Sequence, residues 1–354
     1  MNTSSTRTAT SLFLRAAWGE NTPQAPLWLM RQAGRYLPEY LAIKARSSFW
    51  EMVRTPDLAA EITLQPLRRF PLDAAILFSD IMTPLPAMGV QIEFNPGPVV
   101  AEPLRRAAQI EALRLPETRE IAPYVAEAIR LVRRELAGKP VALIGFAGAP
   151  LTLATYLVQG SGSKDYEDFR AFLRQEPALA HRLLHKLTEL TIRYLRMQIE
   201  AGAEAIQLFD SWAGLHDQEV YRSFGLPYNQ AVFSALAGLG VPRIYLAVGA
   251  SHLYPLLAEL PCEVVSVDWR TPLDQVRQFL PHTLQGNLDP AVLLAPPAVI
   301  TQEAQKVLKS GLGGAHIFNL GHGVIRTTPP EHVAHLVEVV HQFNRHNKHN
   351  KESA

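Results

Sequence analysis

One cysteine, Cys262, occurs in the 354 residues. A single thiol excludes an internal disulfide and every zinc site built from several cysteines. Its setting, LPCEVVSVD, suits a small buried apolar side chain. Long apolar runs are also lacking: 47% of the residues are apolar, but no stretch approaches the roughly 18 consecutive apolar residues of a membrane span. Charge of one sign is absent too, since 34 Lys and Arg face 33 Asp and Glu for a net +1. No global field draws nucleic acid or another polyanion, so an anionic ligand has to be held by local arginines. Several cofactor and nucleophile signatures are missing. There is no Gly-x-Gly-x-x-Gly and no Gly-Lys-Ser/Thr phosphate loop. Gly160 and Gly162 flank Ser161 at the wrong spacing for a nucleophile elbow. No His precedes Cys262 at the spacing of a His-x-Cys pair, because Leu260 stands there. His332 and His335, with His341, His346 and His349 beyond, fall among charged residues and read as a solvated face, not a metal site. The expectation is a cytoplasmic protein with neither a membrane nor a nucleic-acid partner.

Between residues 70 and 322, short apolar runs alternate with longer amphipathic stretches. DAAILFSD (73–80), PVALIGF (140–146), AEAIQLFD (203–210), PRIYLAVG (242–249), CEVVSVDW (262–269), HTLQGNLD (282–289) and AHIFNLGHG (315–323) read as strands buried on both faces. VQIEF (90–94) is taken as an eighth. Between them, 117–138, 177–202 and 300–311 carry helical spacing, with Gly138, Gly202 and Gly311 where C-caps are expected. Eight strands alternating with helices predict an α/β fold, a single (β/α)8 barrel over 11–343, with the active-site cleft at the C-terminal strand ends. Residues 1–10 read as a disordered N-terminal tail and 344–354 as a polar C-terminal one. Asp80, Asp210, Asp268, Asp289 and His322 fall at or just after strand tips.

What the chain does have is concentrated in PLWLMRQAGRYLPEY (26–40), where Arg31 and Arg35 stand four apart beside Trp28, Tyr36 and Tyr40. Two guanidinium forks close together suit a ligand with several carboxylates or phosphates. Pro26, Gly34 and Pro38 favour a shaped loop over a helix interior. Elsewhere, LFSDIMTPLPAMG (77–89) sets Asp80 at a strand tip, and a buried carboxylate there needs donors or a cation. GFAGAPLTLATYLVQGSGSKDY (145–166) lets backbone approach a ligand and offers the Tyr156 hydroxyl. LFDSWAG (208–214) carries Ser211, and NLGHGV (319–324) holds His322 between glycines with its ring expected above the barrel mouth.

Together MRQAGRYLPEY, FSDIMTPLPAMG, GFAGAPLTLATY, FDSWAG and NLGHGV resemble, in order and over roughly residues 11 to 343, the uroporphyrinogen decarboxylases. Departures are modest: Leu151 stands where that family usually has Trp, Gln159 where Glu is common, and Arg326 where Pro is typical. Lys44, with Arg46 two residues on, stands where many members carry a third arginine, leaving open which cation completes a carboxylate clamp. The resemblance implies loss of CO2 from the four acetate arms of uroporphyrinogen III to give coproporphyrinogen III, in heme biosynthesis. It implies no cofactor, because a protonated pyrrole can itself serve as the electron sink. It assigns catalysis to Asp80, Arg31 and Arg35, and substrate contacts to Arg31, Gln32, Ala33, Gly34, Arg35, Asp80, Tyr156, Ser211 and His322. His322 is expected to be doubly protonated beside the substrate's carboxylates. The family also implies a homodimer. Two other readings are a corrinoid-dependent methyltransferase of the same superfamily, which a lone cysteine disfavours, and a non-catalytic tetrapyrrole carrier.

Overall fold

The computed structural model describes residues 11–95 and 97–343, so the tails expected at 1–10 and 344–354, with His346 and His349, lie outside the described residues. In chain order the strands are β1 (Ala74–Ile76), β2 (Ile92–Phe94), β3 (Pro98–Val100), β4 (Ala142–Gly148), β5 (Ala205–Asp210), β6 (Arg243–Ala247), β7 (Val264–Ser266), β8 (Thr283–Leu288) and β9 (His316–Leu320). Seven of them form one parallel sheet in the order β1-β4-β5-β6-β7-β8-β9, the sequential order of a barrel.

The eighth expected strand is in the wrong place. VQIEF contributes β2, which pairs antiparallel with β3 as a hairpin outside the sheet. The eighth position is taken by the start of the arginine segment. Leu27 bridges Phe318 of β9 in parallel, and the Phe318 N–H donates to Pro26 O at 2.8 Å. On its other side, Leu27 O accepts from Asp73 N at 2.9 Å, and Leu27 N donates to the Asp73 carboxylate at 2.7 Å. Pro26–Trp28 thus joins β9 to the start of β1 and closes the ring. That closure puts Arg31 at the same end of the barrel as the residues after β1, β5 and β9.

Alternate residues of these strands fill the interior: Trp28, Ala74, Ile76, Ile144, Phe146, Phe209, Ile244, Leu246, Val264 and Ile317 form one buried cluster. Phe13, Ala16 and Ala17 of the helix Leu12–Ala17 join it. The hydroxyl of Thr283, first residue of β8, donates to Ala16 O at 3.1 Å, so this helix stops the N-terminal end. Outward-facing Leu143, Leu208, Tyr245 and Val265 pack in a larger cluster with the surrounding helices. Helices Pro123–Glu135, Pro177–Ala201 and Pro297–Ser310 occupy the predicted amphipathic stretches. The long one stops at Gly202, whose φ of 118° suits glycine. Both ends of the design follow: the N-terminal face is closed, and chemistry is left to the loops at the C-terminal face.

Candidate active site

The arginine segment leaves its barrel position at Met30, whose N–H donates to the side chain of Asn319 in β9 at 3.0 Å. The chain then turns sharply. Arg31 at φ 64° and Arg35 at φ 46° are both left-handed, with Gly34 at 103° between them. A side chain in that region is uncommon and costs roughly 1–3 kcal/mol, tolerated where surrounding structure enforces it. Enforcement comes from Gln32, which is fully buried. Its Oε1 accepts from Leu29 N at 2.9 Å and its Nε2 donates to Ala74 O at 3.0 Å. The Gln32 side chain therefore holds the loop against β1.

Asp80 is fixed by a turn of its own. Its Oδ1 accepts from Met82 N at 2.9 Å, and its N–H donates to Thr83 Oγ1 at 3.2 Å. Its Oδ2 accepts nothing from the described residues. Burial raises the Asp80 pKa above its ordinary value, opposed by the Met82 N–H and by the positive charge of Arg31. Burial also lowers the Arg31 pKa; Asp80 and Tyr156 act to raise it and Arg326 to lower it. Arg31 belongs to no ion pair among the described residues. A half-buried guanidinium without a partner is costly, and its remedy is an anion brought by a ligand.

Tyr156 lies on the helix Pro150–Gln159 after β4. Its ring meets Tyr166 edge-on at 5.9 Å and Trp212 at 6.1 Å, and burial raises its pKa. His322 arrives through β9. The glycine beside it lies close against the Arg31 side chain, where a Cβ on Gly323 would meet Arg31 Cδ unless that side chain shifted. The ring is half-buried, not exposed above the mouth. Its pKa is pushed down to about 4, first by burial and then by Arg31. Without substrate the imidazole is thus neutral at pH 7; the doubly protonated, singly charged ring is the form expected only beside the substrate's carboxylates.

The mouth therefore brings Asp80, Tyr156 and His322 each within electrostatic reach of Arg31. Ala33, Arg35 and Ser211 are half-buried in the same loops, with no hydrogen bond or ion pair to Asp80 among the described residues. Lys44 and Arg46 are both exposed. Among the described residues, no group of three or more His, Cys, Asp or Glu could hold a metal. His332 and His335 bond instead to Leu293 O and to Thr301. Asp268, noted in the sequence only as a strand-tip carboxylate, and Arg326, noted only as standing where Pro is typical, also belong to the neighbourhood. Asp268 acts on His322 from the end of β7, and Arg326 acts on Arg31.

The uroporphyrinogen decarboxylase family model matches residues 8–343. The chain belongs to this family. It is 48% identical over 332 residues to a uroporphyrinogen decarboxylase of Carboxydothermus hydrogenoformans, covering 92% of this chain and 95% of that one. It is 46% identical over 328 residues to the corresponding protein of Geotalea daltonii, covering 92% and 96%. Among solved structures, a methyltransferase from Methanosarcina mazei superposes with a TM-score of 0.79 at 22% identity, over 94% of this chain and 97% of that one. At that identity the likeness concerns the barrel alone. The matched span includes all of the loops just described.

Proposed function

We propose that this chain is a cofactor-independent carboxy-lyase that takes CO2 from the acetate arms of uroporphyrinogen, with Asp80, Arg31 and Arg35 as its catalytic groups. One observation carries the assignment of residues: Asp80 keeps an unoccupied oxygen beside an arginine that has no ion-pair partner. A ligand carrying N–H donors at its centre and carboxylates at its rim complements both.

The reaction begins when a proton adds to a pyrrole carbon next to the one bearing the acetate, leaving the ring cationic. The bond from the methylene to its carboxylate breaks and CO2 departs. The electron pair forms an exocyclic double bond and neutralises the ring. A second proton completes the methyl group, and the ring carbon releases the first. Asp80 accepts the central pyrrole N–H groups and offsets the developing positive charge, the role in which a preorganised charge counts most. Arg31 and Arg35 pair rim carboxylates. The downward shift of Arg31 by burial is the direction a proton donor needs. Tyr156, Ser211 and His322 complete the contacts, together with the backbone of residues 31–35.

The reading extends to a cytoplasmic homodimer without a nucleic-acid partner. It is supported by the family and by the near-balanced charge; no helix of the described residues is long and apolar enough to cross a membrane. The test is product analysis with chelator-treated protein and uroporphyrinogen. Stepwise appearance of porphyrinogens with seven to four carboxylates supports the reading. Tight binding with no CO2 release would favour a carrier, and activity restored only by zinc and a methyl donor would favour a methyltransferase.

A further inference from the structure

We propose that Arg326 is a third cation of the carboxylate clamp, binding a rim carboxylate of the tetrapyrrole together with Arg31. The proposal rests on the reading above and adds a residue to it. The loop after β9 is fastened to the arginine segment at two points: Val324 N donates to Met30 O at 3.0 Å, and Gly323 lies against the Arg31 side chain. The chain then reverses, with Thr328 N donating to Ile325 O at 3.1 Å. Arg326 and Thr327 are the central residues of that turn. Both are exposed, while Thr328 is buried. The guanidinium is thus carried two residues beyond a backbone bond to the segment that presents Arg31. It is close enough to act electrostatically on both Arg31 and the Tyr40 hydroxyl. Neither arginine has an ion-pair partner among the described residues. Two like charges held together cost free energy unless an anion joins them.

The position in the turn explains what was exchanged. The second residue of a β-turn is where proline is favoured, because its fixed φ suits that corner. A proline there would shape the turn and carry no charge. Arg326 trades that rigidity for a five-donor fork. Its backbone N–H donates no hydrogen bond among the described residues, so a proline is accommodated without losing one. Lys44 and Arg46, the other candidates for a third cation, lie on and beyond the helix Pro38–Lys44, and both are exposed. Among the described residues, neither acts electrostatically on Arg31.

The experiment compares wild type with Arg326→Pro, Arg326→Gln and Arg326→Lys, after circular dichroism shows each folded. Steady-state decarboxylation and equilibrium binding of uroporphyrin, followed by its fluorescence, are measured at low and high salt. A charge-assisted contact at an exposed site predicts a rise of about 3- to 10-fold in KM and Kd for the Pro and Gln variants. Their kcat should fall less than their affinity, Lys should recover part of the loss, and the salt dependence of binding should flatten in the uncharged variants. Wild-type KM and Kd in both Pro and Gln variants, at low salt, would overturn the proposal. A wild type that binds the octacarboxylate without releasing CO2 would defeat the catalytic reading alone, since the binding arm still decides Arg326. Absence of binding by wild type would defeat both.

Discussion

Asp80 follows β1 and Asp210 ends β5, each just after a buried phenylalanine at the same end of the barrel, and burial raises the pKa of both. Their oxygens are treated differently. Both oxygens of Asp210 accept from side chains: Thr152 Oγ1 donates to Oδ1 at 2.7 Å, while Tyr245 OH and Asn229 Nδ2 donate to Oδ2 at 2.8 and 3.0 Å. All three donors are neutral, fully buried side chains held by β6 and the flanking helices. Asp80 has one backbone donor and one nearby positive charge. A caged carboxylate can do little except hold its neighbours. The Thr152 that donates to Asp210 also accepts from Trp212 N at 3.3 Å, so the cage sets the loop carrying Ser211 and the ring against Tyr156. A half-satisfied carboxylate is poorly used by the fold and therefore free for chemistry.

Asp80→Asn has the largest expected effect on turnover and breaks the comparison most directly. Removing one preorganised electrostatic partner costs roughly 10²–10³ in kcat. Its effect on folding should run the other way. A carboxylate with a raised folded pKa binds its proton more tightly folded, so its contribution to stability is present below its ordinary 3.8 and lost as pH rises through the folded value. At neutral pH the charge is a burden, and thermal unfolding should show the Asn variant as stable as wild type or more so. Marked destabilisation would place Asp80 with Asp210.

Arg31→Ala comes next. Loss of a charge-assisted contact of roughly 1.5–3 kcal/mol predicts a fall of about 10- to 100-fold in kcat/KM. Lys at this position should rescue poorly, because it lacks the fork. An unchanged kcat/KM would remove Arg31 from the clamp.

Asp210→Asn sharpens the contrast from the other side. It introduces an amide among three donors and should cost about 1–3 kcal/mol of stability, read by denaturant unfolding. Its effect on kcat should be smaller than that of Asp80→Asn and accompanied by lower stability. A fully stable protein with turnover as poor as the Asp80 variant would show that Asp210 acts in the chemistry.

The smallest effect concerns His322. Its depressed folded pKa means that its stabilising neutral form is favoured above 6.5 and lost as pH falls toward about 4. If substrate carboxylates sit beside the ring as proposed, they raise that value, so the sequence expectation and the observed shift describe two states of one ring. Binding of uroporphyrin near pH 6 should take up a proton, measurable by calorimetry in buffers of different ionisation enthalpy. His322→Gln should abolish that uptake; an unaltered uptake would assign the proton elsewhere.

The barrel was legible because buried parallel strands are short continuous apolar runs, and seven of them read that way. VQIEF misled because Ile, Glu and Phe alternate, and alternation marks a half-exposed strand: Ile92 is buried and Glu93 exposed. The true eighth position, Pro26–Trp28, was hidden inside a segment whose prolines and arginines drew attention to a loop. Its five apolar residues, PLWLM, were the available signal. The charged mouth was legible through Arg31, Asp80, Tyr156 and His322, whose local strings are distinctive. The Gln32 role was not, because its partner Ala74 is 42 residues away. Nor could FSD be told from LFD by pattern. The Asp210 cage is assembled from Thr152, Asn229 and Tyr245, which no local spacing connects.

The central claim is that the open carboxylate stabilises charge in the transition state, and single-turnover decarboxylation at saturating enzyme tests it without interference from product release. Wild type, Asp80→Asn and Asp210→Asn are mixed with uroporphyrinogen, and the first CO2-loss step is timed beside equilibrium binding of uroporphyrin. The account predicts that Asp80→Asn binds within about tenfold of wild type yet reacts some 10²–10³ slower, while Asp210→Asn reacts far faster than the Asp80 variant. A first step by Asp80→Asn at near wild-type rate would contradict it and leave Asp80 as only a strand-end cap.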